Sequence, residues 1–165
     1  MRAGGRAAAL AATILGCAAM AVAQPPRLSL PLDCTPGEDC FIQQYVDADP
    51  GPGAADHTCG PLSYDGHKGT DFALTSRAAM RDGVAVRAAA PGTVTALRDA
   101  MPDSGWNADT AAAAEGRECG NGVVIDHGDG WQTQYCHLRR GSIDVARGQR
   151  VARGQTLGRV GLSGR

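Results

Sequence analysis

Short stretches with apolar residues are broken by glycine, proline and aspartate, and no stretch keeps the spacing of a long amphipathic helix. The clearest signal is Gly122 to His127 and Trp131 to Leu138 around Gly128-Asp129-Gly130, which predicts a β-hairpin. Period-2 alternation puts Trp131, Thr133, Tyr135 and His137 on one face of the second arm. Upstream, Val84 to Ala90 and Thr93 to Arg98 read as strands joined by Pro91-Gly92, and Ser76 to Arg81 as one helical turn. Downstream, Val145 to Gln149 is repeated as Val151 to Gln155, which suggests short strands and sharp corners. The polar stretch from Asp99 to Glu118, with Trp106 and alanines 111 to 114, reads as a long loop. The fold class is mainly β.

The amino-terminal part is different. Residues 1–23 start with Arg2 and Arg6, continue as an apolar alanine-rich run and end in Ala21-Val22-Ala23, the pattern of a cleaved signal peptide. That run is too short for a membrane span. Cys17 raises a lipoprotein alternative, although Leu15 directly before Gly16 is unusual for one. Residues 24–59 are rich in proline, glycine and aspartate and read as an irregular extension, with one candidate strand from Phe41 to Val46. Residues 60–165 form the expected domain.

Charge and cysteine content narrow the function. The formal charge is −1, and loss of Arg2 and Arg6 lowers it by two to −3. No basic run stands out, which argues against nucleic acid as a partner. Exported cysteines favour disulfides over metal ligation. Cys34 and Cys40 are close enough in sequence to close a small loop, and Cys119 and Cys136, on opposite arms of the predicted hairpin, could bridge. Cys59 is then left over.

The candidate chemistry lies in Tyr64 to Phe72. His67 and Asp71 are four residues apart, about 13 Å along a flat strand, too far for one ion with contacts of about 2 Å. Gly66, Gly69 and Thr70 disfavour a helix there. A bend at Lys68-Gly69 before a strand from Thr70 to Leu74 would fold His67 back over Asp71 as a metal pair. A turn with a surface histidine and an N-capping aspartate fits the same spacing. Tyr135 could line a groove or stack in the core, His127 at the hairpin turn reads as structural, and Asp65 as serving the turn.

With Gly66-His67-Lys68-Gly69-Thr70-Asp71-Phe72 in view, the chain resembles the lysostaphin-type (LytM-like) zinc metallopeptidases, which are peptidoglycan endopeptidases. The likeness continues through "VRAAAPGTV" at 86–94, "GNGVVIDH" at 120–127, "QYCHL" at 134–138 and the segment from Ser142 to Gly158. It implies a small antiparallel β-sheet or barrel-like peptidase domain, related to the barrel-sandwich hybrid. It also implies Zn2+ as cofactor, peptidoglycan peptides as substrate and an exported bacterial protein, periplasmic or extracellular. His67 and Asp71 match the first two zinc ligands, and His137 the histidine that helps stabilise the transition state. The family's His-x-His motif, which supplies the third ligand and the general base, has no counterpart before Arg165. The expectation is therefore a fragment of a longer product or an inactive relative, with the fragment preferred because the preceding segment keeps the family pattern. The rival reading is a non-catalytic wall-binding or hydrolase-activating module. A biotin or lipoyl carrier, suggested by the valine-glycine repeat, is set aside because the sole lysine, Lys68, lies far from that repeat.

Overall fold

The computed structural model describes residues 24–105, 107, 110, 112 and 114–165. The signal-peptide and Cys17 expectations, and those on Trp106, Ala111 and Ala113, lie outside these residues. In chain order the elements are β1 (Cys40–Gln44), β2 (Asp71–Leu74), α1 (Arg77–Asp82), β3 (Ala85–Arg87) and β4 (Gly92–Arg98). Then come β5 (Gly122–Gly128), β6 (Trp131–Tyr135), β7 (Arg150–Val151) and β8 (Thr156–Arg159). All strand pairs are antiparallel, in three small sheets ordered β1-β2, β3-β8 and β6-β5-β4-β7. The protein is mainly β, as its patterning predicts.

The hairpin forms where the sequence places it. Asp129 and Gly130 both take positive φ, 53° and 81°, the two-residue turn whose twist matches that of its strands. Alternation then turns Val123, Ile125 and Tyr135 inward, where they meet Val94, Leu138, Val151 and Leu157 in one core. Thr110, Ala112 and Ala114 are helical, whereas the alanine run reads as loop from sequence. The short helix α1 is stopped at both ends: Ser76 Oγ accepts the Ala79 N–H at 3.1 Å, and Gly83 closes the other end at φ 101°.

Two departures matter for the site. Val84 to Ala90 is not one strand beside β4; only β3 is extended, and it pairs with the distant β8. The duplicated segments explain why. Ala146 to Gln149 and Ala152 to Gln155 make the same turn, with Gly148 and Gly154 at φ 84° and 79°. In each, the glutamine Oε1 accepts the alanine N–H, at 3.0 and 3.1 Å. Gly148 N–H then donates to Val94 and Gly154 N–H to Ala88, both at 2.8 Å, and the glutamine carbonyls accept from the same two residues at 2.9 Å. One repeat thus docks on β4 and the other just after β3. Each delivers its own strand to its own sheet.

The second departure is the extension, which is woven into the fold. β1 pairs with β2 in the register Cys40↔Leu74 to Gln44↔Asp71, and Leu32 bridges to Val86 and joins the core. Both expected disulfides are present, Cys34–Cys40 and Cys119–Cys136, and Cys59 is free and exposed. Asp56 organises the loop that leads to the candidate site. Its carboxylate accepts from the Thr58 N–H and hydroxyl, the Gly60 N–H and the Leu62 N–H, at 2.6 to 3.2 Å. These donors, the Thr58 hydroxyl first, hold its pKa at about 2 against an ordinary 3.8.

A carboxyl depressed on folding stabilises the fold above its unfolded pKa and loses that contribution as pH falls through the folded value. The unfolding temperature should therefore decline as pH drops from about 4 to about 2. Asp56→Asn should flatten that limb in a pH series of thermal melts, and an unchanged limb would refute the assignment.

Candidate metal centre

The chain reverses at Tyr64 to His67, where the His67 N–H donates to the Tyr64 carbonyl at 3.0 Å. The residue with positive φ is Gly66, at 73°, so a turn lies ahead of the histidine, and the expected bend follows it at Gly69. The extension clamps this bend from outside. Asp47 Oδ2 accepts the Gly66 N–H, Asp47 N–H donates to the His67 carbonyl, both at 2.9 Å, and Asp47 Oδ1 accepts from Asp49 and Ala55. The Gly66 N–H is the main cause that lowers the Asp47 carboxyl pKa, followed by the Ala55 and Asp49 amides.

His67 is 8% exposed, with its ring stacked on Tyr64 at 4.4 Å between centroids. Its Nδ1 lies 2.7 Å from the Tyr45 carbonyl oxygen. A carbonyl only accepts, so Nδ1 carries the hydrogen and, in a neutral ring, Nε2 is a bare lone pair. That lone pair stands 3.3 Å from Asp71 Oδ1, and the Asp71 side chain is 44% exposed at the head of β2. Two acceptors facing each other at this distance call for a positive centre: a proton on the imidazole, or a cation shared by both. Zinc contacts of about 2.0–2.2 Å at tetrahedral angles set adjacent ligand atoms about 3.4 Å apart, so the donor pair fits one edge of a zinc site. The carbonyl on Nδ1 is the outer partner that zinc-bound histidines use to fix ring and tautomer.

His137 is held by other contacts. β6 ends at Tyr135, and His137 takes a left-handed φ of 59°, so it leaves the alternation that links Trp131, Thr133 and Tyr135. Its N–H donates to the Cys119 carbonyl at 2.8 Å, and its carbonyl accepts from Gly161 at 2.9 Å. Nδ1 donates to the Ser163 carbonyl at 2.8 Å, so in a neutral ring Nε2 carries the lone pair. Buried Asn121 props this corner: its side chain bonds both backbone groups of Met101 and the Leu138 carbonyl, and its N–H meets Ser163 Oγ. The Cys119–Cys136 disulfide ties the same corner from the other side.

Of the sequence candidates, then, the structure joins His67 to Asp71 and places His137 in a separate cradle. Tyr135 belongs to the core, with its hydroxyl accepting from Ala89 at 2.8 Å. His127 spans the Pro91 carbonyl and the Thr133 hydroxyl at 2.7 and 2.8 Å, a framework role. The residues missed from sequence are Tyr45 and Asp47. Tyr45 acts through its carbonyl, which side-chain identity does not reveal, and Asp47 grips a backbone 19 residues away. Among the described residues, the only group of three or more potential His, Cys, Asp or Glu donors is Cys34, Asp39 and Cys40, and its two sulfurs are spent in a disulfide.

The sequence model of peptidase family M23 matches residues 65–165. A 46-residue segment, 28% of this chain, is 50% identical to peptidoglycan DD-endopeptidase ShyA of Vibrio cholerae. A 45-residue segment, 27% of this chain, is 47% identical to cell division protein DipM of Caulobacter vibrioides. These segments span 10% and 7% of those relatives, so the chain corresponds to a small part of either. The solved SpoIIQ–SpoIIIAH pore-forming complex matches in fold, with TM-score 0.50 and 19% identity over 82% of this chain and 73% of that one.

Asn121→Ala removes three side-chain hydrogen bonds from a fully buried position and leaves the Met101 N–H without its acceptor. Urea unfolding should show a loss of about 2–3 kcal/mol. A loss within the surface-substitution range of about 0.5 kcal/mol would show that the corner does not depend on it.

Proposed function

The chain belongs to peptidase family M23, the lysostaphin-type (LytM-like) metallopeptidases, and on that premise we propose a zinc metalloendopeptidase function on cell-wall peptidoglycan peptides, in the periplasm or outside the cell. Residues 60–165 are the peptidase unit, and 24–59 the disulfide-tied segment that supports it. The observation that carries this reading is the 3.3 Å approach of His67 Nε2 to Asp71 Oδ1, with Nδ1 committed to a carbonyl. The peptidoglycan DD-endopeptidase among the relatives supports the substrate class.

His67 and Asp71 would hold the ion, neutral imidazole beside a single carboxylate, which would keep net positive charge at the centre. A zinc ion there would supply a Lewis acid and bring the pKa of water towards about 7. Tyr45 and Asp47 keep the His67 lone pair aimed, so no reorganisation is needed at the moment of reaction. His137 serves the scissile carbonyl. Because its Nδ1–H is engaged by Ser163, Nε2 donates to a developing oxyanion only as imidazolium.

Metal analysis and turnover separate the readings. The purified protein should hold one zinc, and His67→Ala should lose it. His137→Ala should keep the metal but slow muropeptide hydrolysis about 10²–10³-fold. Zinc-free protein that still binds sacculi would favour the rival, a non-catalytic wall-binding or hydrolase-activating module.

A further inference from the structure

The polar stretch that begins at Asp99 carries two half-buried carboxylates, and both are spent on backbone amides. Asp99 accepts the Gly141 and Ile143 N–H groups at 2.7 and 3.3 Å, both in the loop after Leu138. Asp103 joins two segments. Its Oδ2 accepts the Arg140 N–H at 2.8 Å and its Oδ1 the Leu162 N–H at 2.9 Å. Leu162 is the middle of a three-residue strip that grips His137 at both ends. The Gly161 N–H donates to the His137 carbonyl at 2.9 Å, and the Ser163 carbonyl accepts from His137 Nδ1 at 2.8 Å. The carboxylate fits closely against this strip. A methyl group on Gly161 would come within 2.6 Å of Asp103 Oδ1 and closer still to the Arg139 backbone nitrogen, so a glycine leaves Asp103 its place.

A neutral imidazole can carry its hydrogen on either ring nitrogen, and the hydrogen bond made by one nitrogen decides which form persists. At His137 that bond goes to a main-chain carbonyl, so the tautomer depends on where the strip lies. The side chain of Ser163 is anchored too, with Oγ donating to the Leu138 carbonyl and accepting the Asn121 N–H, at 2.7 and 2.9 Å. Those bonds fix the residue, and the Asp103 bond fixes how the chain enters it. We propose that Asp103 is a positioning residue for His137. By holding the 161–163 strip it keeps the ring hydrogen on Nδ1 and reserves Nε2 for the scissile carbonyl. This deepens the role given to His137 above and rests on it. Asp99 supplies the internal comparison, because it is the same residue type in the same stretch and also binds two amides, but neither belongs to the strip. The long polar segment then has a task in the site, carried by one carboxylate through Leu162 and Ser163.

Nitrogen-15 NMR of the 165-residue chain, at a pH where the histidine rings are neutral, reads the tautomer directly. His137→Gln identifies the His137 signals among those of the four histidines. The parent should hold the His137 hydrogen on Nδ1. Asp103→Ala should spread it over both nitrogens, whereas Asp99→Ala should melt lower than the parent and keep the parent's tautomer. A merely structural carboxylate predicts that the two variants treat the His137 signals alike, and that result overturns the proposal. Should Asp103→Ala not fold, Asp103→Asn, which keeps one acceptor oxygen for two amides, should show the same shift in smaller measure. An unchanged tautomer in that variant overturns the proposal as well. In muropeptide hydrolysis Asp103→Ala should lower kcat by up to about 10²-fold with KM little changed. If the tautomer moves but the parent hydrolyses no muropeptide, the positioning role stands and the peptidase reading falls. If the parent is active and the tautomer does not move, the peptidase reading stands and Asp103 loses its role.

Discussion

Everything at the candidate centre depends on one hydrogen bond, from His67 Nδ1 to the Tyr45 carbonyl. The bond settles which ring nitrogen carries the hydrogen, and so whether Nε2 presents a lone pair to Asp71 or a proton. Without it the imidazole could rotate or change tautomer, and the 3.3 Å approach to the carboxylate would carry no chemical meaning. Stacking on Tyr64 limits the ring in the plane where the hydrogen bond does not. The Asp47 clamp extends the constraint to the backbone on both sides of the histidine, and the β1–β2 pairing delivers Tyr45 to the place where it is needed.

The same device recurs at His137 with different parts. There too a backbone carbonyl, that of Ser163, takes Nδ1 and leaves Nε2 free. A left-handed backbone at a non-glycine residue is sparsely populated and persists only where its surroundings over-determine it. The surroundings here are the Cys119 carbonyl, the Gly161 amide, the disulfide and the Asn121 web. The carboxylates of Asp99 and Asp103 reinforce this corner by accepting the Gly141 and Ile143 amides and those of Arg140 and Leu162. The stretch from Asp99 thus works as a buttress, which is why a polar segment of this length is compatible with a compact core.

Much was legible from one-dimensional patterning. The Asp129-Gly130 hairpin, the helical turn after Ser76, both disulfides and the repeated turn at Gly148 and Gly154 each depend on residues close in sequence. Local steric and hydrogen-bonding rules act at that range, so composition suffices. The prediction failed where the outcome depended on a distant partner. β3 stands alone in its stretch because its mate, β8, lies some 70 residues downstream. His137 leaves its strand because of carbonyls and an amide from two other segments, at Cys119 and at Gly161 to Ser163.

By itself, then, the sequence determined the chemical inventory: a mainly β chain, an imidazole and a carboxylate four residues apart at a glycine bend, and a second imidazole after a hairpin strand. Tertiary structure alone decided which atoms of that inventory are free to react. Tyr45 reaches His67 from 22 positions away and Ser163 reaches His137 from 26, and in both cases the partner is a backbone oxygen that every residue type possesses. A carbonyl has no signature in a string of side chains. Only the folded path of the chain can bring one to a histidine and thereby choose its reactive nitrogen.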